Sequence, residues 1–169
     1  MNAVVVGIDP HRPSVPALLW AADEAARRGL GLRLVAAVPP LGGPHHAADA
    51  FSRHRTLRER AESALASTED FVRELHHDLS PATELVDGPA VAVLRERAAH
   101  AALLVVGSRH PSRAAAVLGE GSVALPLAAR AGCPVVVVRE PEHTQVHPRT
   151  LVVGVAGSRA DEAAVAFAV

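Results

Sequence analysis

The sequence predicts a doubly wound α/β domain, with a five-stranded, mostly parallel sheet carrying helices on both faces. Three observations predict it. Five short runs rich in valine, leucine and alanine alternate with segments whose apolar residues recur every three or four positions. The clearest of these runs are apolar without a break, as expected of strands covered on both sides. Hydrophobic residues make up 49% of the chain and charged residues 21%, enough to fill such a core and too little charge for a disordered tail.

Ala3 to Ile8 is the first strand, ending at Asp9. From Ser14 to Arg28, Val15, Leu18, Leu19, Ala22 and Ala25 mark one face of a helix, and Gly29 supplies its stop. Leu32 to Val38 is a second strand, closed by Pro39-Pro40 and a Gly/Pro/His-rich loop reaching Ala50. From Phe51 to Leu79 a long helix carries Leu57, Ala61, Leu65, Thr68, Val72, Leu75 and Leu79 on one face, and Ser80-Pro81 ends it. A strand from Ala82 to Val86, a helix from Pro89 to Ala99 and a strand from Ala102 to Val106 follow. Gly107 to Gly121 is a long loop feeding a helix from Ser122 to Gly132, with Pro126 early in it. Pro134 to Val138 is the fifth strand.

At 169 residues the chain exceeds one such domain, and the excess is a repeat. Arg139 to Pro148 reads as a polar linker. Shifting the chain by 147 positions lays Leu151-Val152-Val153-Gly154-Val155-Ala156 over Val4-Val5-Val6-Gly7-Ile8-Asp9, with Phe167 on Trp20 and Arg159 on Arg12. The organisation expected is a domain over residues 1–139, a linker over 140–149, and over 150–169 the first β-α unit of a second copy. That unit is expected to dock on another copy or to lack order.

Composition removes several chemistries. All 17 basic residues are arginine, so a P-loop lysine, a Schiff base and a lysine general base are absent. A formal charge of -1 gives no attraction to a phosphate backbone, and no nucleic-acid partner is expected. Cys133 is the single cysteine, which leaves no disulfide framework and no C-x-x-C motif. With no apolar run of about 18 residues and no basic leader, the expectation is a cytoplasmic chain with no membrane partner.

In a doubly wound sheet, ligands bind at the carboxyl ends of the strands where strand order reverses. If the order is 3-2-1-4-5, that crevice lies between strands 1 and 4, flanked by Asp9 and the Gly107 loop. Gly107 permits close backbone approach, and the helix start at Ser122 offers N–H groups to an anion. Asp9 accepts hydrogen bonds in either of two roles, toward a ribose or amino group or as the cap of its own turn. Both stay open.

The runs Val-Val-Val-Gly-Ile-Asp at 4–9, Leu-Leu-Val-Val-Gly-Ser-Arg at 103–109, and Gly-Ser-Val at 121–123 followed by Cys-Pro-Val-Val-Val-Val at 133–138 resemble the universal stress protein family. The resemblance covers residues 1 to about 139 and implies sheet order 3-2-1-4-5, dimerisation or tandem-copy pairing through strand 5 (Val135, Val136, Val137, Val138) and, in one subclass, ATP binding, with Mg where ATP is held. It places the adenosine-side acid on Asp9 and the backbone that meets adenine on Ala37. The phosphate loop G-x2-G-x9-G-[ST] falls on Gly107, Arg109, His110, Gly121, Ser122 and Val123. Here His110 stands at the second glycine position, Pro111 follows it, the loop is one residue longer than the pattern, and Ala124 replaces a hydroxyl residue. Ala156 occupies the Asp9 position of the second copy, so copy one is the better nucleotide site. The implied role is a stress-response module that switches partners and does not turn over substrate, with weak ATP hydrolysis as a lesser reading. The alternative is a nucleotide-independent scaffold with a degraded loop.

Other patterns read as structural. Gly119-x-Gly121-x-x-Ala124 with Glu140 fits a dinucleotide fingerprint, but no strand immediately precedes it. The pairs His45-His46, His76-His77 and His143 with His147 read as surface histidines and not as metal ligands. Ser108, Ser112 and Ser122 lack a nucleophile elbow. Trp20 and Phe71 are expected to pack on helix core faces, and Cys133 to be a small buried residue.

Overall fold

The computed structural model describes residues 3–40, 47–108, 123–139, 152–153, 162 and 165–167. The elements run β1 Ala3–Ile8, α1 Val15–Arg28, β2 Gly31–Val38, α2 Ala47–Leu75, β3 Ala82–Asp87, α3 Ala90–Ala98, β4 Leu103–Ser108, α4 Ala124–Arg130 and β5 Val135–Arg139. All pairings are parallel and the order is β3-β2-β1-β4-β5, the doubly wound arrangement expected. β1 is central, with Ile8 opposite Ala36 of β2 and Gly7 opposite Val106 of β4.

Side-chain parity explains the unbroken apolar runs. Val4, Val6 and Ile8 join Leu34, Val105, α1 and α2 in one core cluster. Val5 joins Val35, Leu104, Val106, α3 and Leu127 of α4 in another on the opposite face. Because successive strand residues point to opposite sides, a sheet covered on both sides needs apolar residues at every position.

α1 begins at Ser14, whose Oγ accepts from the Ala17 N–H at 3.4 Å. It ends at Gly29, whose φ of 62° is a left-handed conformation that suits glycine, and the Leu30 N–H returns to the Ala25 carbonyl at 2.9 Å. Two residues of α1 depart from the sequence pattern. Val15 is 50% exposed although helical spacing puts it on the apolar face, because it sits at the helix entry beside a groove. Glu24, placed off that face, is only 8% exposed. Its carboxylate accepts from Arg27 at 2.9 and 3.0 Å and from Arg28 at 2.5 Å, which satisfies a charge that burial alone would penalise. The Arg27 hydrogen bond, with Arg28 adding to it, holds the Glu24 carboxyl below its ordinary range.

α2 spans Ala47–Leu75 and not 51–79. Ala61, Leu65, Thr68 and Val72 are buried at the expected spacing, but Leu75 is exposed. The helix unwinds at His76-His77-Asp78, where the His76 Nε2 lies 2.9 Å from Asp23 Oδ1 of α1, and Leu79 returns to the core from a turn. Phe71 is another correction: 37% exposed, it lines the α1/α2 groove, whereas Trp20 packs partly buried on the first cluster.

β4 continues through Gly107 and Ser108, which pair with Val138 and Arg139, so Gly107 is strand and not loop, and Arg139 is strand and not linker. α4 starts at Ala124, capped by Val123 with no side-chain bond, not at Ser122, and it ends at Arg130. Pro126 falls within its first turn, where no N–H has a helical partner. Cys133 is half-buried against the second cluster, and burial raises its thiol pKa. The linker at 140–149 lies outside the described residues, as do His45, His46, His143 and His147. Of residues 150–169, Phe167 is among those described, and the Arg28 guanidinium stands 5.1 Å from its ring centroid.

Candidate functional site

The strand order reverses between β1 and β4, since β2 and β3 lie to one side of β1 and β4 and β5 to the other. Both carboxyl ends open there onto a cavity of about 260 Å³. A crevice at that point follows from topology, because the two flanking crossover connections leave in opposite directions.

Four of the residues expected at a binding site line this cavity: Asp9, Ala37, Gly107 and Val123. Arg109, His110, Gly121 and Ser122 lie outside the described residues. Asp9 shapes the β1–α1 turn. Its Oδ1 accepts the His11 N–H at 2.9 Å and its carbonyl accepts the Arg12 N–H at 3.2 Å. The turn-capping role is therefore present, and the carboxylate also belongs to the cavity wall. Ala37 reaches the wall from the end of β2, where it pairs with Val86 of β3.

Gly107 has a second reason to be glycine. A Cβ there would meet the Cβ of Ser14 and come within 2.7 Å of its Oγ. The close approach is to the N-cap of α1, so the same missing side chain lets β4 run past α1 and leaves backbone at the cavity wall. Gly7 plays a lesser part, since a Cβ there would lie 2.9 Å from Leu94 Cδ1 of α3.

Several wall residues carry no sequence signal. Leu57 of α2, Leu94 of α3 and Val35 of β2 follow core periodicity like their buried neighbours, and only the fold turns them to the cavity. His11, Arg12 and Ser14 of the turn supply polar groups, with Ser108 at the end of β4. Two contacts hold α2 over this end of the sheet. Arg58 Nη1 donates to both oxygens of Asp87 at 2.9 and 2.7 Å, with His54 Nε2 3.3 Å from Oδ1. Arg60 Nη1 lies 2.8 Å from His11 Nδ1. Largely apolar walls with a few convergent polar groups suit a flat, partly apolar ligand with a polar edge.

A family model for the universal stress protein family matches residues 1–139. The chain belongs to the universal stress protein family. Universal stress protein Rv2624c from Mycobacterium tuberculosis (strain ATCC 25618 / H37Rv) is 37% identical over 145 residues, covering 82% of this chain and 48% of that protein. The chain thus spans about half the length of this curated relative. Universal stress protein UspA from Lactobacillus plantarum superposes with a TM-score of 0.67 at 20% identity, over 82% of this chain and 97% of that one. A universal stress protein in complex with cAMP superposes at 0.62 with 26% identity, over 82% and 96%. A universal stress family protein from Arabidopsis thaliana with AMP bound superposes at 0.54 with 19% identity, over 84% and 94%. The five-stranded order 3-2-1-4-5 is the universal stress protein fold, and the expected family is the one found.

Among the described residues no helix is long and apolar enough to cross a membrane, and no cluster of three His, Cys, Asp or Glu side chains forms a metal-binding group.

Proposed function

We propose that residues 1–139 of this universal stress protein bind an adenine nucleotide in the crevice between β1 and β4. One observation carries the reading: Asp9, Ala37, Gly107 and Val123, drawn from four separate stretches of sequence, line one cavity. Family members solved with cAMP and with AMP support adenine as the base. In this reading the adenosine lies against Ala37 and the apolar wall, Asp9 accepts from the ribose or the amino edge, and the phosphate runs toward Gly107. ATP with Mg is the fuller ligand. The protein acts in the cytoplasm as a stress-response module that changes partners on binding and does not turn over its ligand.

Calorimetry with AMP, and with ATP and Mg²⁺, tests this. The expected result is saturable heat that Asp9→Ala weakens by tenfold or more, about 1.4 kcal/mol. Absence of heat with either ligand at high protein concentration rejects it.

A second reading, a nucleotide-independent scaffold, is favoured by the structural work Asp9 and Gly107 already do in the turn and the α1 contact. It would act through the β5 edge, where Val137 is exposed, by pairing with a second copy or with the other half of a tandem protein. Val137→Lys is expected to lower the sedimentation coefficient of a dimer to that of a monomer. Nucleotide retained on the purified protein counts against this reading.

A further inference from the structure

The Pro10–Pro13 turn is a wall between two hollows. On one side is the nucleotide cavity, lined by His11 and Arg12; on the other a groove of about 700 Å³ runs between α1 and α2, lined by Pro13, Arg60 and Phe71. Pro10 borders both. A hydrogen bond ties this wall to α2, with Arg60 Nη1 2.8 Å from His11 Nδ1. A guanidinium only donates, so Nδ1 is the acceptor and the ring proton sits on Nε2. The bond exists only with a neutral ring.

Leu57 reaches the cavity between this contact and the one that His54 and Arg58 make with Asp87. The two contacts answer a proton in opposite directions. On His54 it turns a histidine–carboxylate contact into an ion pair. On His11 it removes the acceptor and sets an imidazolium against a guanidinium. Among the described residues, charged and titratable groups that contact His11 or line the two hollows beside it are Asp9 and Arg12 of its own turn and Glu59 and Arg60 of α2, with His54, Arg58, Glu62 and Asp87 farther along. Asp9, whose Oδ1 already accepts the His11 N–H, gives a protonated ring an anion to turn toward.

We propose that His11 and Arg60 form a latch, closed while His11 is neutral and opened by its protonation, which positions the turn and Leu57 around the cavity. The latch is a property of the ligand-free chain; only its consequence, weaker ligand binding when open, rests on the nucleotide reading.

Hydrogen exchange of the ligand-free full chain at about pH 8 and about pH 5 tests it. After correction for the intrinsic pH dependence of exchange, protection of the His11 and Arg12 amides and of α2 around residues 54–64 is expected to fall about tenfold at the lower pH. Arg60→Ala is expected to show the lower protection at both values, and His54→Ala to keep the response at the turn. Arg60→Gln separates a latch from mere packing, because its amide donates to the neutral ring and accepts from the protonated one, so protection stays high at both. Wild-type protection equal at the two pH values, or an unchanged response in Arg60→Gln, overturns the latch. AMP titrations of the same proteins should show affinity falling about tenfold toward pH 5 in the wild type and holding in Arg60→Gln. Failure of AMP to bind at either pH, with the exchange response intact, rejects the nucleotide reading and leaves the latch standing.

Discussion

At the scale of single residues, the site is defined as much by missing atoms as by present ones. Gly107 faces Ser14 so closely that Gly107→Ala must move either the α1 cap or the last residues of β4. The expected cost is about 1–3 kcal/mol in urea unfolding, the usual range for overpacking. Gly7→Ala should cost less, since its obstacle is the end of the flexible Leu94 side chain. Asp9 divides in the same way between shape and chemistry. Asp9→Asn keeps an oxygen to accept the His11 N–H, whereas Asp9→Ala loses that turn contact, so Asp9→Asn is expected to melt above Asp9→Ala. A nucleotide affinity that falls in both variants would assign the effect to charge, and one that falls only in Asp9→Ala would assign it to the turn. The sequence singled out Asp9 and Gly107 through the strand-order crevice as well as the family motif, and Ala37 through the motif. It gave no reason to pick Leu57 or Leu94, because a side chain lining a cavity and one filling a core obey the same helical spacing.

At the scale of elements, α1 shows how a polar group comes to sit inside. Glu24 is covered because two arginines of the same helix, three and four positions on, close over its carboxylate. Its pKa is lowered in the folded state, so its contribution is present above the unfolded carboxylate value and is lost as pH falls through the folded one. Glu84 of β3 behaves alike, lowered by its hydrogen bonds to Arg97. Stability is therefore expected to decline as pH falls below the ordinary carboxylate range, and Glu24→Gln should flatten that decline in denaturant titrations at stepped pH. Ser14→Ala removes the cap of the same helix and is expected to cost about 0.5–1 kcal/mol, the low end for caps because its contact is long at 3.4 Å. The ends of α2 were the least legible feature. Its buried stripe was readable in the residues, but the helix stops at Leu75, where the chain turns and His76 lies 2.9 Å from Asp23 of α1, a proximity that no local pattern encodes.

At the scale of the whole molecule, five strands and their crossovers are complete by Arg139. A chain cut after Arg139 is expected to unfold in one cooperative step with a midpoint close to that of the full chain, checked by circular dichroism. A large loss would mean that the Arg28–Phe167 contact supports the domain. The sequence by itself determined the succession of β and α elements, the burial of both sheet faces and the family, because continuous β-branched runs, helical spacing and glycine-punctuated motifs are local and survive reading one residue at a time. Only the tertiary structure decided which side chains share the crevice, that Gly107 answers to Ser14, that Glu24 is buried, and that His11 meets Arg60 across 49 positions of sequence. Those are meetings between elements, and they depend on distances that strand order and helix docking fix and that sequence spacing leaves open.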